Sequence, residues 1–361
     1  MFMPGLIGLL GLALQAPGTA RAPLDPEAID KMESVGLFFA PGGVHNISTI
    51  ASFKAYLLEK DPYADFLTRD EYLQFKRAQG ESYAGIGVEL ERGGDGTVLC
   101  YPDPAGPAEA AGVSPGDTLL AIDGQPTQGR PLPSLLALAA GAAGSPLVID
   151  VAGKDRRVRR LSILRTAAIG PSVTERQYGE HSVVRIAAFT PNTRQELEFI
   201  LSSRQMPEPL ILDLRGNRGG DLNAAIDAAM LFLKRGETVV SVRGKAGVRP
   251  YLSTVARAPY PGTAFLWQDP GTASSAEVFI AALTDNDHGV SIGKKTFGKG
   301  TRQDLIELGS GAVLILTTGY LLTPRGRDID GRGLAPGTLL SGAGTDKQYL
   351  DAVSRLLPRN H

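Results

Sequence analysis

Apolar residues recur at helical spacing through the first part of the chain. The stretches 26–34 and 48–59 carry this pattern, a Pro-Gly-Gly breaker at 41–43 separates them, and 61–78 continues it. Residues 23–80 are therefore predicted to form an N-terminal helical region.

The pattern changes near residue 82 to short strands and glycine turns. Strand-like segments at 97–101, 147–151 and 159–164 accompany a helix-like segment at 132–140. Together they predict a compact, β-rich domain, to which we assign residues 81–167.

Strands and helices alternate from residue 169 onward. The predicted strands are 182–188, 210–214, 263–267 and 290–292, the predicted helices are 194–203, 222–233 and 276–283, and a hairpin follows at 302–307 and 313–320. Such alternation is typical of a layered α/β core. The sequence thus predicts a multidomain α/β (α+β) protein whose core is residues 168–361.

Composition and charge narrow the class of protein. Hydrophobic residues make up 43% and charged residues 21% of the 361 positions, which is typical of a soluble globular protein of two or three domains. The net charge of -1 argues against a nucleic-acid binder, because such proteins normally carry a basic excess.

The first 22 residues have a composition of their own. An apolar run is followed by small residues that end in Ala20-Arg21-Ala22, which is typical of a signal peptide cleaved after Ala22. We therefore expect a periplasmic or secreted protein, tethered to a membrane if residues 1–22 are retained.

Few side chains suit metal binding or thiol chemistry. Cys100 lies in a strand-like segment, so a buried and inert thiol is expected. The histidines, at positions 45, 181, 288 and 361, lack the spacing of a catalytic base or of metal ligands. No metal and no cofactor are predicted.

The stretch GTASSAEVF at 271–279 places two serines between a predicted strand and a predicted helix. Ser274 and Glu277 fit a capping box, which satisfies N–H groups at a helix start and requires no chemistry. The same position offers free N–H groups and a positive dipole end to an oxyanion. These residues alone leave open whether either serine is a nucleophile or only a cap.

Two glycine-rich segments could complete a site around such a serine. The turn DLRGNRGG at 213–220 supplies further backbone N–H groups. Lys299 lies between two glycines in KKTFGKG at 294–300, which suits a side chain that points into a confined cleft. A lysine can accept a proton from a hydroxyl only when its amine is neutral, and burial favours the neutral form.

The β-rich domain resembles a PDZ domain of the bacterial protease type. The resemblance rests on GIGV at 85–88 and on AGVSPGDTLLAIDG at 111–124. It implies that the loop of Gly85, Ile86, Gly87 and Val88 holds a peptide's terminal carboxylate, while the strand edge pairs with the peptide. The alternative is a small β-domain with ordinary glycine turns.

Residues from about 61 to 336 resemble the carboxyl-terminal processing proteases, which are serine peptidases with a Ser-Lys dyad. The matching segments are KDPYADFLTRDEY, DLRGNRGGDL, GTASSAEVFIAALTDN, GKKTFGKGTRQ and TPRGRDIDGRG. The resemblance implies a ClpP/crotonase-like β-α core with an inserted PDZ domain. Arg218 departs from the family pattern, because a proline or glycine usually precedes the double glycine.

The same resemblance implies a role for each candidate residue. Ser274, rather than Ser275, would be the nucleophile, Lys299 the base, and Gln303 the residue that orients the amine. The implied oxyanion donors are backbone N–H groups of Ser275 and of Gly219 or Gly220. The implied supporting residues are Glu277, Asp285 and Thr296.

The sequence therefore predicts an exported serine endopeptidase that recognises accessible C-termini of proteins or peptides. One alternative is a catalytically inactive PDZ protein that binds C-terminal tails or has a regulatory role. Another is a Ser-Lys esterase or amidase. An adaptor protein and a homo-oligomer are left open, and no nucleic-acid partner is expected.

Overall fold

The computed structural model describes residues 24–43, 47–78, 84–93, 95–103, 106–167, 171–179, 181–203, 209–256, 258, 260–342 and 344–357. The predicted signal peptide, His45 and His361 lie outside these residues. Among the described helices, none is both long and apolar enough to cross a membrane.

The helices are α1 (Pro26–Val35), α2 (Ile50–Lys60), α3 (Arg69–Ala78), α4 (Pro107–Ala110), α5 (Leu132–Ala139), α6 (Thr193–Ser203), α7 (Leu222–Ala229), α8 (Ser275–Asp285) and α9 (Asp346–Leu356). The strands are β1 (Asp65–Leu67), β2 (Ala84–Gly85), β3 (Val88–Arg92), β4 (Val98–Pro102), β5 (Asp117–Ile122), β6 (Gln125–Pro126), β7 (Pro146–Ala152), β8 (Val158–Leu164), β9 (Thr166–Ala167), β10 (Val173–Tyr178), β11 (His181–Ile186), β12 (Leu210–Asp213), β13 (Thr238–Gly244), β14 (Gly247–Leu252), β15 (Ala264–Gln268), β16 (Gly289–Gly293), β17 (Thr301–Glu307), β18 (Val313–Leu322) and β19 (Thr338–Leu339).

The N-terminal region is not wholly helical, contrary to the prediction for 61–78. Its strand β1 precedes α3 and pairs antiparallel with β18 of the core. A run of three apolar or buried residues is too short for periodicity to separate strand from helix, and the pairing with β18 decides it. The N-terminal region thus supplies an edge strand to a core sheet.

The inserted domain is a six-stranded sheet, ordered β3-β4-β5-β7-β8 with β6 on β5, and covered by α5. Strand β3 forms one edge of this sheet, and α5 contacts it. The short ladder of β2 and β9 joins the two chain ends of the domain. Leu135, Leu147 and Val151 are among the side chains that its core buries completely.

Two sheets and the helices between them form the core. One sheet has the order β10-β11-β12-β15-β16-β19 and is parallel from β11 onward, and the other contains β1, β18, β13 and β14, with β17 also paired to β18. The largest apolar cluster joins α7 and α8 to both sheets. Because β12 and β15 are parallel neighbours, the loops after them lie at one edge.

Several elements were not predicted from the sequence. Among them are β10, the β13–β14 hairpin and α9. Strand β14 contains Pro250 and has mostly exposed side chains, which is compatible only with an edge strand and leaves little alternation to detect. The predicted helix 222–233 also ends earlier, at Ala229, and 230–233 continue as turns.

Asp65 links the N-terminal region to the inserted domain. It is fully buried, its Oδ2 accepts a hydrogen bond from Ser134 of α5 at 2.6 Å, and Lys54 lies 4.0 Å from its Oδ1. Burial raises the pKa of Asp65 to about 6, although Lys54 and the hydrogen bond from Ser134 oppose that rise.

This raised pKa predicts a pH dependence of stability. An unfolded aspartate has a pKa of about 4, so the folded protein binds this proton more tightly and its stability should fall as pH rises from about 4 to about 6. Asp65→Asn removes that titration. Thermal unfolding across this window should show the variant gaining stability relative to wild type as pH rises. Asp30→Asn, at an exposed helix position, is the control, and a pH-independent difference for Asp65→Asn would contradict the assignment.

Candidate active site

Side chains from several segments meet in one cleft of about 920 Å³. It lies at the carboxyl ends of β12 and β15, the edge at which open α/β sheets commonly bind ligands. Ser274, Lys299 and Gln303 all line it. Three predicted side chains from separate parts of the sequence are thus brought to one cavity.

Ser274 has a backbone conformation that is rare for a residue with a side chain. It is the N-cap of α8, with φ of 57° and ψ of -125°. Such conformations cost about 1–3 kcal/mol and are concentrated at functional sites. Ser275 is only 1% exposed, and its hydroxyl donates to the Gly220 carbonyl at 3.3 Å. The geometry therefore favours Ser274 as the serine that faces the cleft.

The buried carboxylate of Glu277 joins the serine loop to the lysine loop. It accepts hydrogen bonds from four donors, at 2.5–2.9 Å: the amides of Ser274, Gly298 and Lys299 and the hydroxyl of Thr296. Burial raises the pKa of Glu277, and these hydrogen bonds oppose the rise. Of the predicted capping box, the bond from the Ser274 amide to Glu277 is present, whereas the Glu277 amide donates to the Ser274 backbone carbonyl at 2.9 Å. The same carboxylate also fixes the backbone at Lys299.

The glycine turn after β12 approaches Ser274 closely. A Cβ at Gly219 would lie 2.9 Å from the Ser274 Cβ, and a Cβ at Gly220 would lie 2.2 Å from the Phe189 carbonyl oxygen. Gly219 N donates to Asn217 Oδ1 at 2.8 Å, so that amide is occupied. Within the described part of the chain, the amides of Gly220 and Ser275 have no such acceptor. Of the two predicted glycine donors, Gly220 is therefore the better placed.

Lys299 contacts the inserted domain rather than the serine. Its Nζ lies 3.4 Å from Glu89 Oε1 of β3 and 5.5 Å from the centre of the Tyr63 ring. No hydrogen bond joins Lys299 to Ser274 among the described residues. In this conformation the amine forms a salt bridge with Glu89.

The other predicted site residues contact neighbouring loops. Gln303 donates to the hydroxyls of Thr301 at 3.0 Å and Thr317 at 3.2 Å, and not to Lys299. Besides donating to Glu277, the Thr296 hydroxyl accepts from the Leu334 amide at 2.6 Å. Asp285 lies farther along α8 and binds the segment that follows β18, as the next contacts show.

Asp285 holds the chain after β18 in place. Its carboxylate accepts from the Arg325 amide at 3.0 Å and from Arg327 Nη2 at 2.5 Å. Asp285 is not among the residues that line the cleft. Its contacts are therefore those of a residue that positions a loop.

The loop 85–88 leads into the exposed edge of the inserted domain. Gly87 has φ of 65°, and the carbonyls of Ile86 and Gly87 accept hydrogen bonds from the inserted domain at 2.8 and 2.9 Å. Ile86 is buried, and Val88 begins β3. Among the described strands, β3 pairs only with β4, which leaves its other edge without a strand.

Sequence reasoning missed the contact between the glycine turn and β3. Arg218, noted only as a departure from the family, donates to Glu89 at 2.8 Å and lies 3.4 Å from Glu91. Its guanidinium is 3.9 Å from the centre of the Tyr101 ring and 5.2 Å from that of Phe297. Alternating glutamates in ELER were the available signal, but their partner lies more than one hundred positions away in the sequence.

Two other predictions from the sequence concern side chains outside the cleft. Cys100 is buried, which raises the pKa of its thiol to about 12 and disfavours the reactive thiolate. His288 Nε2 lies 2.8 Å from Glu237, so this histidine has a structural partner. Neither residue lines the cleft.

Comparison with known proteins places this geometry in a family. Residues 181–339 match the model of peptidase family S41, and residues 98–153 match that of the PDZ domain. The carboxyl-terminal-processing protease of Picosynechococcus sp. is 32% identical over 314 residues, which cover 82% of this chain and 76% of that relative. The chain belongs to the carboxyl-terminal-processing proteases.

Other relatives agree with this membership. A probable CtpA-like serine protease of Staphylococcus epidermidis is 30% identical over 287 residues, which cover 78% of this protease but only 58% of that relative. A solved structure described as the photosystem II D1 C-terminal processing protease has a TM-score of 0.74 and 26% identity, and covers 87% of this protease and 92% of that chain.

These comparisons confirm the predicted mixed α/β fold with a PDZ domain and the predicted class of serine-type peptidase. They give no support to the alternative of an inactive tail-binding protein.

Proposed function

We propose that this protease is an endopeptidase in which Ser274 is the nucleophile and Lys299 is the general base. The observation that carries the proposal is the position of Ser274, a strained N-cap that lines the same cleft as Lys299 and the glycine turn. Glu277 supports it further, because its carboxylate sets the backbone of both residues.

The reaction follows from these groups. Neutral Lys299 accepts the Ser274 proton while Oγ bonds to the substrate's carbonyl carbon. The carbonyl oxygen becomes an oxyanion, which the amides of Ser275 and Gly220 stabilise. The carbon–nitrogen bond then breaks, Lys299 returns the proton to the leaving amine, and water hydrolyses the acyl-enzyme.

The PDZ domain would bind the C-terminus of the substrate. Its strand β3 is a sheet edge with no second neighbour among the described strands, and the glycine loop 85–88 precedes it. An extended peptide can pair with such an edge while backbone N–H groups bind its carboxylate. Because Glu89 lies on β3 and contacts Lys299, a peptide bound at this edge would lie next to the proposed base.

Replacement of the proposed dyad tests the mechanism. An unstructured protein with an apolar C-terminus is incubated with wild type, Ser274→Ala, Lys299→Ala and Ser275→Ala, and the products are identified by mass spectrometry. We expect the Ser274 and Lys299 variants to lose activity by about a thousandfold or more, and Ser275→Ala to retain it. Circular dichroism establishes that all four are folded.

Other outcomes would select the alternatives. A folded wild type that binds a C-terminal peptide but cleaves nothing would favour a tail-binding protein. Hydrolysis of small esters without cleavage of the protein would favour an esterase.

The contact with Glu89 gives a separate prediction. To act as a base, the Lys299 amine must leave Glu89, which lies 3.4 Å from its Nζ, and reach the Ser274 hydroxyl. Glu89→Gln should therefore raise the cleavage rate of a short peptide at neutral pH. Glu91→Gln is the matched control, because Glu91 contacts Arg218 and not Lys299. If the cleavage rate of Glu89→Gln were equal to or lower than that of this control, the contact with Glu89 would not restrain Lys299.

We also propose that the protease is exported, on the basis of the signal-peptide pattern in residues 1–22. The mature protein should then begin at Pro23 when it is isolated from a secreting bacterial host. N-terminal sequencing of the periplasmic or extracellular fraction checks this. Recovery from the cytoplasm with Met1 still present would be the contrary result.

A further inference from the structure

A cluster of arginines lines the cleft on the side away from Lys299. Arg176, Arg185 and Arg215 all face this part of the cavity, which we call the arginine arm. The order of the strands gives the position of the arginine arm relative to Ser274. Strand β15 leads to Ser274, β12 lies next to β15, and β11 and β10 follow beyond β12. The arm is thus continuous with the proposed nucleophile.

The sheet geometry places two of these arginines side by side. In the register of β10 and β11, Arg176 pairs with Val183 and Thr174 pairs with Arg185. Arg176 and Arg185 are therefore diagonal neighbours on one face, at a spacing that long side chains can bridge. Both point into the cleft.

Acidic groups in the arm do not neutralise all three guanidinium groups. Arg215 uses both oxygens of Asp213, at 2.7 and 2.8 Å, and also contacts Asp346 at 2.7 Å. Arg185 shares an Asp213 oxygen at the longer distance of 3.3 Å. The nearby Asp269 accepts hydrogen bonds from backbone amides instead, with Gly216 at 2.8 Å among them.

The Arg176 guanidinium has no ion-pair or hydrogen-bond partner among the residues that the structure describes. It is exposed toward the cavity, and no acidic side chain of the described chain lies within bonding distance of it. By contrast, the Arg215 guanidinium lies against the adjacent rings of Trp267 and Tyr349, at 4.8 and 4.7 Å from their centres. A fixed cationic wall with one free guanidinium is suited to an anionic ligand.

We propose that the arginine arm binds a carboxylate of the peptide substrate, through Arg176 with assistance from Arg185. This inference rests on the proposed peptidase function of the same cleft. Guanidinium groups bind carboxylates through short, charge-assisted hydrogen bonds. The carboxylate is either an acidic side chain or the C-terminal carboxylate of a peptide whose end enters the cleft instead of binding to the PDZ domain.

Strand spacing sets the distance of this carboxylate from the cut. Strand β11 lies two strand spacings from β15, and β10 lies three. At about 4.8 Å per spacing, these distances are about 10 and 14 Å. An extended peptide advances about 3.3 Å per residue. The bound carboxylate therefore lies about three to four residues from the scissile bond.

Matched peptides test the proposal. A peptide that wild type cleaves is made with Gln or Glu at the third or fourth position on either side of the cut, with an amidated C-terminus. A second pair ends at that position with a free or amidated carboxyl group. Values of kcat/KM are compared for wild type, Arg176→Gln and the control Arg235→Gln, whose arginine is exposed outside the cleft.

We expect wild type and the control to favour one carboxylate-bearing peptide by about tenfold, and Arg176→Gln to abolish the preference while still cleaving the neutral peptide. Preference within the first pair identifies an acidic side chain, and preference within the second identifies the terminus. The PDZ domain is the same in all three proteins, so it cannot produce the difference.

Failure of the inference and failure of the proposed function are distinguishable. Equal preference in wild type and Arg176→Gln, with cleavage intact, would overturn the carboxylate site alone. If no peptide were cleaved, fluorescence anisotropy on the same peptides would decide the matter, because the ratio of Kd values should collapse in Arg176→Gln and not in Arg235→Gln.

Discussion

The proposed catalytic centre depends on the hydrogen bonds of the buried Glu277 carboxylate. It receives four hydrogen bonds, which hold the start of α8 and the lysine loop at fixed positions relative to one another. A buried carboxylate is costly unless its oxygens are satisfied, and here the donors come from both loops. The same arrangement stabilises a strained backbone at Ser274, which would otherwise relax.

The PDZ domain is joined to the protease core at that centre. Arg218 extends from the glycine turn to Glu89 and Glu91, and Glu89 also reaches Lys299. The aromatic rings of Tyr101 and Phe297 flank the same guanidinium. Because β3 carries both the proposed peptide-binding edge and these carboxylates, a peptide bound there would lie beside the contacts that position the proposed base.

The side of the cleft away from Lys299 is lined by arginines. Arg215 packs against the rings of Trp267 and Tyr349, binds Asp213 and connects the core to α9. Arg176 and Arg185 continue this cationic surface along β10 and β11. The cleft is thus asymmetric: carboxylates of the PDZ domain lie near Lys299, whereas arginines line the part beyond the glycine turn.

The sequence by itself determined the order of the domains, the alternating α/β pattern and the serine at a helix start. These are local properties: periodicity, glycine turns and the Ser-x-x-Glu spacing are visible within short segments. Resemblance to a family added the preference for Ser274 over Ser275 and the role of Gln303. Local patterns misassigned 61–78 as continuous helix, because β1 is defined by its pairing with distant β18.

Only the tertiary structure decided which groups face one another. The sequence does not distinguish Gly219 from Gly220 as an oxyanion donor. In the structure the side chain of Asn217 accepts a hydrogen bond from the Gly219 amide, which leaves Gly220 as the better candidate. Arg218 and Arg176 had no local signal of their roles, because these roles depend on residues that are distant in the sequence or on the register of neighbouring strands. Chain periodicity fixes which face a residue occupies, whereas long-range packing fixes what that face meets.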